Sequence, residues 1–338
     1  MPLNHYLTLG RSGLRVSPFC LGAMTFGEDL GWGSSVKESE AILDRYVELG
    51  GNFIDTANLY TKGHSEKIIG DHLGRHKDKR DRLVIATKFS GNLHIGDPNG
   101  GGSSRKSIVS QCEQSLRRLQ TDYIDLYQAH MQDGSVPIEE TMAAFDQLVR
   151  DGKVRYVGCS NYAGYRVAEA LWAADRMGTA RYQSMQIQWS LVARDAEREL
   201  VPAARQFGMG VLVWSPLAAG FLSGKYKRDE APPKGSRLAA WKDSWAARAT
   251  QQNWTTLDAV QAVAKHHGVS PAAVSLAWLL TKPEVSSVIV GARTVSQLKE
   301  NIAAAELKLS PEDLKQLDKV STPEWGYPYS FIGMREQW

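Results

Sequence analysis

Four ionisable side chains stand at or just beyond the ends of short apolar runs. Asp55 closes Asn52-Phe-Ile-Asp, Lys88 closes Val84-Ile-Ala-Thr-Lys, and His130 follows Asp125-Leu-Tyr-Gln-Ala. Tyr60 lies five residues past Asp55. Together they make an acid–base set. A phenol has an ordinary pKa of about 10, too high for an efficient proton donor at neutral pH. A nearby ammonium favours the phenolate and lowers that value. Bringing it to near 7 asks for roughly 4 kcal/mol of differential stabilisation. Lys88 can supply that charge, Asp55 can hold Lys88 charged and oriented, and a neutral His130 can hydrogen-bond a reacting oxygen. Taken singly, each has a plain structural reading: an aspartate as helix cap or ion pair, a histidine as satisfied core residue, a lysine as solvated charge. Four complementary groups at one rim are harder to dismiss.

A rim requires strands. Short runs rich in β-branched residues recur at 19–22, 52–56, 83–88, 123–128, 154–158, 184–189, 210–215 and 287–291. All-apolar runs of this kind suit parallel strands buried on both faces. Amphipathic stretches at 39–50, 107–119, 138–150, 196–207 and 296–305 alternate with them. Gly50, Gly152, Gly208 and Gly268 stand where helices should stop, and Ser65 and Ser270-Pro271 read as N-caps. Eight strands alternating with helices give an α/β fold, either a (β/α)8 TIM barrel or a large doubly wound sheet. The length of 338 residues favours a single barrel domain over 1–338. Residues 6–18 read as an N-terminal β-hairpin, with Arg11-Ser-Gly as its turn, that would plug the barrel bottom. The segments 91–104 and 226–254, the latter holding Pro232-Pro233, Trp241, Trp245 and Trp254, read as long loops at the C-terminal face.

Composition excludes several classes. Forty Lys+Arg against 37 Asp+Glu leave a formal charge of +3, so neither nucleic acid nor an anionic membrane is expected as a partner. Cys20, Cys112 and Cys159 form no CxxC and no disulfide framework. No apolar run approaches the ~18 residues of a membrane span, and the N-terminus shows no signal-peptide core, so a cytoplasmic location is expected. His64, His72 and His76 lack ligand spacing, and no metal is expected.

The order Asp55, Tyr60, Lys88, His130 resembles the catalytic tetrad of the aldo-keto reductases. The strings FIDTANLYTKGHSE, IATK, DYIDLYQAH, VGCSN, VWSPLAAGFLSGKY and VIVGARTVSQLKEN resemble that family's blocks, in order, from Leu14 to about Thr322. The likeness is closest to the branch with aryl-alcohol dehydrogenase-like and potassium-channel β-subunit-like members. It implies an NADP(H)-dependent oxidoreductase that interconverts an aldehyde or ketone and the corresponding alcohol. Hydride would come from nicotinamide C4 and the proton from Tyr60.

Tight-turn signatures for a dinucleotide elsewhere are absent. Gly31-Trp-Gly33 fails the Rossmann pattern at Val36. Gly220-Phe-Leu-Ser-Gly-Lys225 is one residue short of a phosphate loop and continues with Tyr226. By resemblance, Ser160, Asn161 and Gln186 would bond the nicotinamide carboxamide and Trp214 would stack on its ring; as a plain reading, Trp214 is a buried barrel aromatic. Ser215, Leu217, Gly220 and Lys225 would line the pyrophosphate. Gly22, Met24, Pro216 and the shared Asp55 belong to the same cofactor-binding set. Gly291 and Arg293, with Gln297, Glu300 and Asn301, match the adenosine 2′-phosphate and adenine contacts, which favours NADP over NAD. Arg237 reads equally as a second clamp or as surface charge.

Phe26, Trp32, Tyr60, Phe89, His130 and Trp189, with Trp241 or Trp245, suggest an apolar pocket for an aromatic or alicyclic carbonyl or alcohol. Two other readings compete. One is an NADPH-binding regulatory or sensor protein with slow turnover, as channel β-subunit-like members suggest. The other is a Schiff-base lyase with Lys88 as nucleophile, in which the Ser160-Asn161, Trp214 and Arg293 blocks would have no role. Oligomeric state is not legible.

Overall fold

Strands that are apolar on both faces need cover on both sides. The eight runs find it by closing on one another. The computed structural model describes every residue except Met1, Leu30, Arg75, Lys234, Gly235, Trp241 and 334–338, and the side chains of Arg237, Ala240 and Lys242 are not described either. After the hairpin strands β1 (Leu7–Thr8) and β2 (Arg15–Val16) come β3 (Phe19–Gly22), β4 (Phe53–Asp55), β5 (Val84–Phe89), β6 (Ile124–Ala129), β7 (Val154–Ser160), β8 (Ser184–Gln188), β9 (Gly210–Trp214) and β10 (Val285–Val290). The last eight form a closed parallel barrel in the order β10-β3-β4-β5-β6-β7-β8-β9, with helices between strands. This is the (β/α)8 architecture the alternation predicts.

Strand parity places the chemistry. Side chains two apart share a face. Cys20, Phe53, Val84, Ala86, Leu126 and Leu212 form an apolar cluster with the hairpin residues Leu9 and Val16. Continuing each strand by two residues takes Phe53 to Asp55, Ala86 to Lys88, and Leu126 to Gln128 and then His130. The inner face is thus apolar near the strand starts and polar toward their ends. The hairpin closes the apolar end as expected. Leu9 is fully buried, the Arg11 N–H donates to the Gly208 carbonyl at 2.9 Å, and Ser286 Oγ donates to the Thr8 carbonyl at 3.0 Å. At Gly10 (φ +58°) a Cβ would stand 2.5 Å from the backbone nitrogen of Gly210, so the plug tolerates only glycine there.

The helices Ile138–Arg150 and Ala196–Phe207 match their predicted bounds. Val36–Glu48 begins earlier than the periodicity suggests because Ser35 accepts from the Glu38 N–H; Gly50 lies just past its end at φ +89°. Ser270 caps Pro271–Leu280 as predicted. Ser65 is not an N-cap. Gly63 holds that position for the helix His64–Ile69, and the Ser65 hydroxyl is used in tertiary contacts. About half of 226–254 is helical rather than loop: Arg237–Ala240, Lys242–Arg248 and the start of Gln251–His267 fall within it. Trp254 meets Phe221 at a tilt with ring centroids 4.8 Å apart, and Trp245 meets Tyr226 likewise at 5.5 Å, so these aromatics serve packing. Pro232-Pro233 interrupts regular structure locally but does not prevent helix a few residues later. Trp241 lies outside the described residues. The segment 91–104 is irregular, as expected. The helix Gly164–Met177 escapes sequence reading because its N-cap, Ala163, offers no side-chain cap. Pro311–Ser321, also absent from the periodicity reading, does carry a legible signal in the Ser310–Asp313 capping box. Among the described residues no helix is long and apolar enough to cross a membrane.

Candidate active site

At the polar end of the barrel the Lys88 ammonium is completely buried and makes three contacts. It donates to Asp55 Oδ2 at 2.6 Å, to the Thr56 carbonyl at 2.9 Å and to the Tyr60 hydroxyl at 3.4 Å. An ammonium has three hydrogens, so its donors are fully allocated. The other Asp55 oxygen accepts from Gln186 Nε2 at 2.8 Å. Burial depresses the Lys88 pKa, but the charges and hydrogen bonds of Asp55 and Tyr60 outweigh it and leave it above the ordinary lysine value. Lys88 is a charged, immobilised group beside a phenol.

His130 follows β6, its backbone N–H donating to the Phe89 carbonyl at 3.2 Å. Its ring meets Tyr60 edge-on, with centroids 5.8 Å apart and planes at 81°. Burial, reinforced by the Lys88 charge, lowers its pKa to about 3. The imidazole is therefore neutral at physiological pH, and its buried Nδ1 has no hydrogen-bond partner among the described residues. A neutral imidazole can donate one hydrogen bond to a substrate oxygen without competing as the proton source.

A strained turn carries Tyr60. Thr61 (φ +46°), Lys62 (φ +56°) and Gly63 (φ +91°) are all left-handed. For a β-branched threonine this costs about 1–2 kcal/mol. The threonine hydroxyl offsets it by donating to the Phe26 carbonyl at 3.0 Å and accepting the Ser65 N–H at 3.0 Å. Upstream, the Asn58 N–H donates to the Lys88 carbonyl at 3.0 Å, and its side chain donates to Gln111 Oε1 at 2.6 Å.

The predicted cofactor residues occupy strand ends and loops on the same face. Ser160 ends β7. Asn161 (φ +54°) donates to the His130 carbonyl at 2.8 Å and to Ser160 Oγ at 3.0 Å. Gln186 is tied to Asp55. Trp214 ends β9 with its buried Nε1 unpartnered, and borders a cavity of about 310 Å³ with Asn161, Ile187, Gln188, Arg198 and Leu200. After it, Ser215, Ala218, Ala219 and Gly220 all have positive φ, and Pro216 and Leu217 lie within this tight loop. Lys225 folds back over Gly220, where a Cβ would stand 2.8 Å from its Nζ. Gly22 ends β3, and Met24 follows half-buried. Thr25 and Ser34 hydroxyls bond the carbonyls of Ala292 and Arg293 at 2.9 and 3.1 Å. This leaves the Arg293 side chain exposed. Gln297 Oε1 accepts the Arg293 N–H and Asn301 Nδ2 donates to the Gly291 carbonyl, so both brace this loop; Glu300 is exposed. A buried indole nitrogen beside a cavity, a loop with four positive-φ residues and a lysine folded over it, and an exposed arginine fit a dinucleotide. The Arg237 side chain lies outside the described residues.

Three predicted pocket aromatics are packing residues instead. Phe89 has the parity opposite to Lys88. It is fully buried against Tyr127 and Phe145, at 5.0 and 5.4 Å. Trp189 is buried beneath the helix layer, its Nε1 donating to Glu197 and its ring edge-on to Trp278. Phe26 is completely buried. Trp32 is half-buried. Gln188, Arg198 and Leu200, which line the cavity, carry no signal in the sequence. Gln128, an inward amide whose polar atoms have no partner among the described residues, does carry one in its spacing two before His130.

Residues 18–322 match the model of the Aldo/keto reductase family. The uncharacterised oxidoreductase YrpG of Bacillus subtilis is 39% identical over 93% of this chain and 95% of its own. A Schizosaccharomyces pombe protein provisionally named as a voltage-gated potassium channel subunit beta is 38% identical over 92% of each chain. An aryl-alcohol dehydrogenase of Pestalotiopsis microspora is 33% identical over 98% of this chain and 85% of its own.

The buried geometry yields two expectations. Between about pH 3 and the ordinary histidine value, the unfolded chain binds a proton at residue 130 that the folded chain does not. Stability from this group is therefore lost as pH falls through that window. The His130 ring resonance in NMR should not titrate between pH 5 and 8; a midpoint near 6.5 would refute a neutral, desolvated ring. Lys88→Met strands Asp55 with only Gln186. It should cost about 3–5 kcal/mol in denaturant unfolding, largely recovered by adding Asp55→Asn. An unchanged midpoint in the single variant would contradict the pairing.

Proposed function

The chain belongs to the aldo/keto reductase family, and on that basis we propose that it interconverts an aldehyde or ketone and its alcohol with NADP(H), using Tyr60 as the proton donor. The observation that carries this reading is the contact of the Tyr60 hydroxyl with a buried, fully coordinated ammonium at 3.4 Å. In reduction the phenol gives its proton to the carbonyl oxygen as charge develops there. Lys88 stabilises the phenolate left behind, and Asp55 keeps Lys88 charged and aimed. Neutral His130 hydrogen-bonds the same oxygen and orients the carbonyl. In the alcohol direction the phenolate accepts the proton. The nicotinamide, when bound, supplies or accepts the hydride at carbon. Trp214 would stack against its ring, and Ser160 and Asn161 would orient its amide. Lys225 would meet the pyrophosphate and Arg293 the 2′-phosphate. The cavity beside Trp214 is lined by Asn161, Gln188, Asp195, Arg198 and Glu199 as well as by Ile187 and Leu200, and none of the four acid–base residues borders it, so the proposal for the substrate stops at a carbonyl compound or alcohol.

The likeness to the Schizosaccharomyces pombe protein favours a second reading, a nicotinamide-dependent sensor with slow turnover. A spectrophotometric screen of aromatic and alicyclic carbonyls with NADPH separates the two, because bound cofactor without turnover across the panel would favour the sensor.

Tyr60→Phe should lower kcat by about 10²–10⁴-fold, the usual contribution of a positioned acid, while NADPH affinity measured by fluorescence titration stays near wild type. Lost cofactor binding would contradict the assigned role. Arg293→Ala should weaken NADPH binding roughly 10- to 100-fold, since a hydrogen bond to a charged group contributes about 1.5–3 kcal/mol. NADH binding should barely change, and an equal loss for both would show that Arg293 does not read the 2′-phosphate.

A further inference from the structure

The Lys88–Tyr60 separation depends on β5, which carries Lys88, and on the turn that carries Tyr60; backbone bonds from the Thr56 N–H to the Ala86 carbonyl at 2.9 Å and from the Asn58 N–H to the Lys88 carbonyl at 3.0 Å join the two only as far as Asn58, two residues short of Tyr60. The short helix His64–Ile69 begins where that turn ends. Its residues 65 and 66 reach the immediate neighbours of both buried catalytic groups. Ser65 Oγ donates to the Ala23 carbonyl at 2.7 Å and lies 2.8 Å from the hydroxyl of Thr56, the residue after Asp55. Glu66 is completely buried. Its Oε1 accepts from the hydroxyl of Thr87, the residue before Lys88, at 2.5 Å, and its Oε2 accepts from Arg118 Nε at 2.6 Å.

Thr87 and Lys88 point to opposite faces of β5. Holding the Thr87 hydroxyl outward therefore fixes the roll of the strand that aims Lys88 inward. Arg118 acts on the other piece. Its side chain lies against Gly63, where a Cβ would stand 2.8 Å from Arg118 Cδ, so it supports the last left-handed residue of the Tyr60 turn. Resting on the reading of Tyr60 as proton donor, we infer that Glu66 is a positioning residue: through Thr87 and Arg118 it locks the strand of Lys88 to the turn of Tyr60 and sets the distance between ammonium and phenol. An apolar trio could fill the same volume without desolvating charge. What it could not do is hold two elements at fixed angles by directional, charge-assisted bonds. Glu66 and Thr87 are completely buried and Thr87 faces away from Lys88, so their influence on chemistry passes through geometry. Displacements of about 1 Å at such distances can cost 10²-fold in rate.

Glu66→Gln and Thr87→Val are tested together, the second removing one hydroxyl while leaving the Glu66–Arg118 pair intact. Each is compared with wild type for melting temperature, NADPH affinity, kcat and KM against pH on a carbonyl that wild type reduces, and the titration of the Tyr60 resonance in protein labelled at tyrosine Cζ, assigned with Tyr60→Phe. A looser Lys88–Tyr60 contact raises the phenol pKa toward its free value. The alkaline limb of kcat and the Tyr60 resonance should therefore both move upward by about half a pH unit or more, with kcat down about 10-fold. KM and NADPH affinity should stay near wild type. If melting temperature falls while the limb and the resonance stay at their wild-type positions, Glu66 is a fold brace only and the inference is overturned. Should Glu66→Gln fail to fold, Thr87→Val decides. A wild type inactive on every carbonyl would instead sink the proposed function, and the resonance titration would still read the Tyr60 environment.

Discussion

One buried ammonium organises this protein. Lys88 has no solvent to hydrate it, so each of its hydrogens must find an oxygen, and the three it finds come from the end of β4, the residue after it, and the turn beyond. An unpaired charge in that place would be intolerable. The site is therefore satisfied only when β4, β5 and the Tyr60 turn are all in place, and the same requirement that stabilises the charge assembles the proton donor. The cost of burying Lys88 and Asp55 is met by mutual pairing and by Gln186, which takes the remaining carboxylate oxygen.

The barrel makes this possible by separating its interior into two zones. Below, Leu9 and Val16 from the hairpin complete an apolar plug with Phe53, Val84 and Leu212. Above, the same strand faces turn polar. A water-poor floor beneath the ion pair raises the strength of every interaction in it, and it also keeps His130 neutral. The rim then receives its strain from the left-handed residues 61–63 and from Ser215 and residues 218–220. Each is held by hydrogen bonds or by close side-chain cover rather than by regular structure.

Where sequence and structure part, the reason is parity or context. Phe89 stands beside Lys88 in the chain and so faces the opposite way, into Tyr127 and Phe145. Trp189 lies one residue past β8 and is covered by Trp278. Aromatic type makes both attractive as pocket walls, yet their place on alternating strands excludes it. Ser65 has the composition of an N-cap but follows a left-handed glycine that fills that role, which frees its hydroxyl for Ala23 and Thr56. Proline-proline suggests a long loop up to Trp254, whereas aromatic packing on Phe221 stabilises helix within it.

Local hydrophobic runs mark the eight strands and the hairpin, residue types that have few other uses mark the four side chains at the strand ends, and the length of the chain tips the fold toward a barrel over a doubly wound sheet. The strands, the hairpin and the four side chains are each written within a few consecutive residues. Other features arise only once the chain has folded. Lys88 donates to a backbone carbonyl as well as to Asp55, Gln186 serves Asp55, and Glu66, Thr87 and Arg118 meet behind the catalytic pair. These contacts join residues dozens of positions apart. Spacing along the chain carries no record of such meetings; closure of the barrel creates them.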